Sequence, residues 1–151
     1  MFPALRLVSD NHSSGHGPGE SGRHVKPTNG HKRKATLLVV EDEILIRLAT
    51  CDYLREQGFR VLEASNASEA LSVFAAGEPI ELVFSDVNMP GRMSGTGLAQ
   101  WIHQQFPDVK VLLAAGESSG PEHASGEFGM VLIKPYAHET LLAHIKNLLM
   151  A

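Results

Sequence analysis

Four side chains of this sequence could do chemistry together: Glu41, Asp42, Asp86 and Lys134. Asp86 closes the run Leu82-Val-Phe-Ser85, which reads as a buried strand and is followed by Val-Asn88-Met-Pro90-Gly. A carboxylate at the C-terminal end of a buried strand stands where open α/β sheets bind their ligands. Glu41 and Asp42 follow another apolar run, residues 35–40, and Lys134 follows a third, residues 130–133. Three carboxylates in one crevice repel one another and want a cation. An all-oxygen, anionic, water-accessible set suits Mg²⁺. With that charge in place a phosphoryl group can approach Asp86, and Lys134 offers a second positive charge to its oxygens. Phosphoryl transfer needs little beyond in-line positioning and charge neutralisation, so the expected chemistry is acceptance of a phosphoryl group on Asp86. Taken singly, each residue has a plainer role: a helix cap, helix N-terminal charge, or a solvated turn lysine. Their recurrence at strand ends favours the joint reading.

Those side chains meet only if their strands are neighbours. Residues 35–40, 60–64, 82–85, 109–114 and 130–133 read as strands, with helical patterns between them. In residues 43–57, Ile46, Ala49, Thr50, Tyr53 and Leu54 form one inward face, and Gly58 is the expected stop. Leu45 and Leu48 lie off that face, as the edge of a wide stripe or as ground for a partner. Asn66 or Ser65 caps a second helix, with Ala67, Ala70, Leu71 and Phe74 inward. Ser94 caps a third, carrying Leu98, Trp101, Ile102 and Phe106. A fourth helix belongs at 117–129. Three glycines, a proline and one large apolar residue, Phe128, make it degenerate there. The last helix spans about 138–149, with Leu141, Leu142, Ile145, Leu148 and Leu149 on its apolar side. The expected fold is therefore α/β: a flavodoxin-like (βα)5, doubly wound, five-stranded parallel sheet of order 2-1-3-4-5. That order sets the ends of the first and third strands side by side. Glu41, Asp42 and Asp86 then converge, with Lys134 in reach.

The rest of the composition bounds the partners. Residues 1–34 form a basic Gly/Ser/His-rich tail, expected to be disordered, with six Lys and Arg against two acids. The remainder carries seven bases against fifteen acids, the wrong sign for a nucleic-acid-binding domain, so no DNA partner is expected. His12 and His16 have helical metal spacing, but the surrounding glycines argue against a helix. The basic run His31-Lys-Arg-Lys34 reads as a solubilising flank. A single cysteine, Cys51, excludes an internal disulfide and fits a reducing compartment. With no apolar run of about 20 residues and no signal-peptide pattern, no membrane span and a cytoplasmic location are expected.

These motifs resemble the receiver domain of two-component response regulators. Leu38-Val-Val-Glu41-Asp42-Glu43 is similar to the family's acidic pair, Ser85-Asp86-Val-Asn88-Met-Pro90-Gly to its phosphoacceptor motif, and Leu132-Ile-Lys134-Pro135-Tyr to its lysine-proline motif. The resemblance covers residues 35–151. It implies that Asp86 accepts phosphate from a histidine kinase or phosphotransfer protein. It implies also that Glu41, Asp42, Asp86 and the backbone carbonyl of Asn88 bind Mg²⁺, and that Lys134 contacts the phosphoryl group. Two positions depart from the family pattern. Ala115 stands where a Ser or Thr hydroxyl binds the phosphoryl oxygen, and Val131 where many receivers carry a switching aromatic.

Three functions follow for comparison. The first is a phosphoacceptor with a non-standard switch and no output domain after the last helix, or a receiver cut from a larger hybrid kinase. The second is a receiver-fold interaction module that does not switch on phosphorylation. The third, an aspartyl-phosphate hydrolase, wants an aspartate two residues after the nucleophile. That position is Asn88, so the chain is not expected to be an enzyme.

Overall fold

A computed structural model describes residues 34–116 and 129–151. The expected disorder of residues 1–34, Lys34 apart, and the expected degenerate helix at 117–129, Gly129 apart, lie outside these residues. The elements in chain order are β1 (Thr36–Val40), α1 (Ile44–Glu56), β2 (Arg60–Ala64), α2 (Ala67–Ala75), β3 (Leu82–Asp86), α3 (Gly95–Gln105), β4 (Lys110–Ala115), β5 (Met130–Ile133) and α4 (His138–Met150). The strands form one parallel sheet of order β2-β1-β3-β4-β5, as the alternation of elements required.

The two-residue period of a strand sends alternate side chains to opposite faces of the sheet. Leu38, Val40, Val83, Val111, Leu113 and Ala115 enter one core with Ala70 and Phe74 of α2 and Leu98 and Ile102 of α3. Leu37, Val39, Leu82, Phe84, Leu112, Ala114 and Leu132 enter the other with Cys51 and Leu54 of α1 and Leu141 and Ile145 of α4. Burial on both faces explains why β1 and β3 are unbroken apolar runs rather than alternating ones.

Side-chain caps start two of the four described helices. Asn66 caps α2 by accepting the Glu69 N–H at 2.8 Å, while the Glu69 carboxylate accepts the Ser65 N–H at 2.7 Å, a reciprocal capping pair. The Ser94 hydroxyl accepts the Gly97 N–H at 3.0 Å at the start of α3. The inward face of α1 corrects the expectation. Thr50, Cys51 and Leu54 are buried, whereas Ile46 and Ala49 are exposed. Ile44, Leu45, Ile46, Leu48 and Ala49 make the first two turns apolar almost all round, so periodicity alone cannot fix the angle at which the helix meets the sheet. Phe106 likewise lies beyond α3 and is 39% exposed, although its ring stacks on Phe74 at 4.9 Å between centroids.

At the N-terminal edge of the sheet Glu81 links three strands. Its carboxylate accepts the Thr36 N–H at 2.8 Å. Its N–H donates to the Thr36 carbonyl at 2.9 Å, and its carbonyl accepts from the Lys110 N–H at 3.0 Å. At the opposite edge Gly91, at φ +106°, supplies the turn after Pro90 that returns the chain toward α3. Gly95 then brings α3 against the end of β3, its N–H donating to the Val87 carbonyl at 2.8 Å. A Cβ at Gly95 would collide with the Asp86 carbonyl oxygen and stand 2.8 Å from the Val87 Cα. Gly95→Ala should therefore cost about 2–3 kcal/mol of unfolding free energy, the usual scale for overpacking, measured by urea denaturation. An unchanged denaturation midpoint would mean that this approach is looser than described.

Candidate functional site

Strand register brings the chemical residues to one level. Val40 pairs with Ser85 across β1 and β3, so Glu41 and Asp86, each one residue further on, emerge side by side. Asp86 is level with Ala114 on β4, and Ala115 is level with Ile133 on β5. The Lys134 N–H donates to the Ala115 carbonyl at 2.8 Å, which holds the lysine at the same edge. Parallel strands deliver all their C-terminal ends to one side, and the site lies in that crevice.

Carboxylate oxygens of Glu41, Asp42 and Asp86 all lie within 4.8 Å of one another. Glu41 and Asp86 are buried and Asp42 is exposed, so the cluster opens to solvent on one side. The Lys134 Nζ donates to Asp86 Oδ2 at 2.6 Å, a short charge-assisted hydrogen bond. Asp86 Oδ1 accepts the Asn88 N–H at 3.0 Å, which fixes the carboxylate plane and draws the Asn88 main chain beside the cluster. Glu41 Oε2 accepts the Glu43 N–H at 3.1 Å. Sequence reasoning thus named the residues that the fold assembles around Asp86.

Charge crowding leaves its mark on the titrations. Burial pushes the Glu41 carboxyl above its ordinary range, with the Asp86 charge adding to it; the Glu43 N–H and the Lys134 charge oppose. For Lys134, burial disfavours the ammonium. The hydrogen bond to Asp86 and the charges of Asp86, Glu41 and Glu43 outweigh it, and its pKa is raised. Tyr136, packed edge-on against Phe84, is pushed up to about 12 by burial and by the charges of Glu41 and Asp86. Tyr136 therefore walls the site as a neutral phenol.

Two contacts were invisible to sequence reasoning. Arg47 of α1 donates to the Glu41 carbonyl at 2.8 Å through one guanidinium nitrogen and to Glu63 of β2 at 3.2 Å through another. Gly95 gives no site signal in the sequence, whereas its missing side chain lets α3 abut Asp86. Cys51, whose place the sequence left open, is wholly buried, and burial pushes its thiol up to about 12.

The sequence model of the response regulator receiver domain matches residues 37–146, which include every member of this cluster. The chain belongs to this family. Among its relatives, the sensor kinase CckA of Brucella abortus is 29% identical over 149 residues, covering 95% of this chain and 16% of that kinase. The transcriptional regulatory protein AruR of Pseudomonas aeruginosa is 33% identical over 120 residues, covering 75% of this chain and 48% of the regulator. The chain thus spans less than half the length of either relative. The crystal structure of the response regulator TrrA from Thermotoga maritima, in complex with Mg(2+)-BeF, is 30% identical with a TM-score of 0.68, covering 76% of this chain and 98% of that one. Among the described residues of this receiver no helix is long and apolar enough to cross a membrane.

The donor set fits a hard divalent cation. An Mg²⁺ ion holding oxygens at about 2.1 Å keeps any two of them within about 4.2 Å. The three carboxylates, within 4.8 Å, need only small side-chain rotations to meet that condition. Without an ion the receiver carries their mutual repulsion, offset in part by Lys134. Glu41→Gln keeps an acceptor for the Glu43 N–H and removes one of the three charges. In EDTA at pH 7 its melting temperature should exceed that of the parent chain, and its gain on adding Mg²⁺ should be smaller. Scanning calorimetry with and without Mg²⁺ checks both, and a lower melting temperature in EDTA would contradict the repulsion.

Proposed function

We propose that this receiver takes a phosphoryl group on Asp86 from the phosphohistidine of a histidine kinase or phosphotransfer protein. In this reading Glu41, Asp42, Asp86 and the Asn88 carbonyl hold Mg²⁺. The observation that carries it is Asp86 itself: a buried carboxylate clustered with two other acids, with Lys134 at 2.6 Å. An Asp86 carboxylate oxygen attacks phosphorus, the O–P bond forms as the N–P bond breaks, and the imidazole leaves with its electron pair. Mg²⁺, when bound, supplies the positive charge that lets two anions meet. Lys134 lies within reach of the incoming phosphoryl oxygens, and the Asn88 N–H holds the attacking carboxylate in plane. TrrA, solved with Mg(2+)-BeF, supports the metal and the phosphoryl position by likeness. The sensor kinase and transcriptional regulator among the relatives support the two-component setting. The reading includes a cytoplasmic location and no DNA contact by this acidic domain. It also holds that the domain is not a turnover enzyme, since Asn88 lacks the carboxylate a hydrolase would need.

Readout is the unusual part of this proposal. Ala115 is buried at the end of β4, and its methyl offers a phosphoryl oxygen no hydrogen bond. A hydroxyl there would supply about 1.5–3 kcal/mol of bias on phosphorylation, the value of a hydrogen bond to a charged group. Val131 on β5 removes the aromatic partner of that switch. These two residues favour a second reading, in which the domain binds partners through its receiver surface without switching on phosphate.

A docking face lies beside the site. Leu45 is 78% exposed on α1, with Ile44, Ile46 and Leu48 also exposed, and a groove lined by Ile46, Ala49, Thr50, Lys134, Pro135, Tyr136 and His138 joins that face to Glu41. A donor protein covering this face would bring its phosphohistidine to Asp86.

Acetyl phosphate with Mg²⁺ should label the chain, and Asp86→Asn should abolish the label; intact-mass spectrometry reads this. No labelling of the parent chain would favour the non-switching module. Leu45→Asp should leave acetyl phosphate labelling unchanged while slowing transfer from a phosphorylated histidine donor about tenfold, the loss of one interface anchor. Equal slowing with both donors would place the defect in the site rather than in docking.

A further inference from the structure

The structure assigns a positioning role to Arg47: braced by Glu63, it holds the acidic turn in the geometry that receives Mg²⁺, without touching the ion. The inference rests on the metal-binding reading above. Both main-chain polar groups of Glu41 are tied to the end of β2. Its N–H donates directly to the Ala64 carbonyl at 3.0 Å. Its carbonyl is tied indirectly, through Arg47, whose second nitrogen is held by Glu63 Oε1 at 3.2 Å. Glu63 is level with Val39 on β1, two residues before Glu41, so the brace spans a rigid pair of strands. The remaining Glu63 oxygen accepts from Arg55 at 3.1 Å, an exposed contact.

The turn needs such a brace. Glu41 and Asp86 are both buried with carboxylate oxygens within 4.8 Å of each other, so their repulsion acts against the turn that holds them together. Glu43, the residue before α1, makes no side-chain capping hydrogen bond, so capping does not fix the entry of the helix. Arg47 is one turn into α1, and its N–H already donates to the Glu43 carbonyl at 2.9 Å. The same residue therefore joins the helix, the turn and β2. Mg²⁺ demands near-octahedral oxygens at short distance and tolerates displaced ligands poorly. Partners that orient metal ligands are commonly worth about 10–100-fold in metal affinity. A guanidinium suits this role because its planar fork serves two acceptors at once, which an ammonium does poorly.

Arg55 provides the control. It shares Glu63 and donates to the Val61 carbonyl at 2.8 Å, but it does not contact Glu41, and its side chain is 42% exposed against 16% for Arg47. Calorimetric titration of the full chain with Mg²⁺, without any phosphodonor, tests the role. Arg47→Gln and Glu63→Gln should each weaken Mg²⁺ binding roughly tenfold, and the double variant should be no worse than Arg47→Gln alone, since the two act as one unit. Arg47→Lys should recover part of the loss, and Arg55→Gln should stay within about twofold of the parent, as an exposed pair does. Unchanged affinity in Arg47→Gln would overturn the assignment. So would an equal loss in Arg55→Gln, because general loosening of α1 would then explain both. A parent chain that binds no Mg²⁺ would instead overturn the metal reading, and this inference with it.

Discussion

Like charges forced together at one edge of a parallel sheet are the constraint on which the rest of this molecule turns. Glu41 and Asp86 are held at adjacent positions by the β1–β3 register and are buried there, so their repulsion cannot be relieved by swinging into water. What surrounds them is compensation: Lys134 against Asp86, the Asn88 N–H on its other oxygen, the Glu43 N–H on Glu41. Two apolar cores, divided by the alternation of strand side chains, fix the sheet firmly enough to keep the acids where they repel. The hydrophobic face is non-directional and supplies the force, whereas hydrogen bonds at the strand ends supply the direction.

Much of this was legible in the sequence. The strand runs and their spacing give the order of the sheet, and a carboxylate ending such a run is a local signal. Asp86, Glu41, Asp42 and Lys134 were therefore readable before any geometry. What was not readable depends on angle or on distant pairing. Which stripe of α1 faces inward is decided by how the helix lies on β1 and β2, and its first turns are apolar on too many sides to reveal that. Arg47 and Glu63 are sixteen residues apart and each looks like an ordinary surface charge. Gly95 looks like a helix residue of poor propensity until the Asp86 carbonyl is seen where its side chain would be.

The two faces of the sheet are packed by different groups. The core under α1 and α4 adjoins the acidic cluster, with Phe84 and Tyr136 in contact just beneath it. The core under α2 and α3 includes the Phe74–Trp101–Phe106 group, gathered at the far ends of both helices. Ala115 belongs to this second core and also reaches the site edge. A change at that residue is therefore felt both by packing and by whatever occupies the crevice.

Glu81 gives the molecule a mechanical polarity. Its three hydrogen bonds lock β1, β3 and β4 together at the edge of the sheet remote from Asp86. The Arg60 N–H adds β2 by donating to the Ala35 carbonyl at 3.0 Å. Tension applied to the chain at Lys34 is thus met first by this cross-link and then, along the axis of β1, by its hydrogen bonds to both neighbours loaded in parallel. The acidic turn lies at the trailing end of that strand. Whatever pulls on residue 34, the load is borne by the sheet before any of it reaches the crevice.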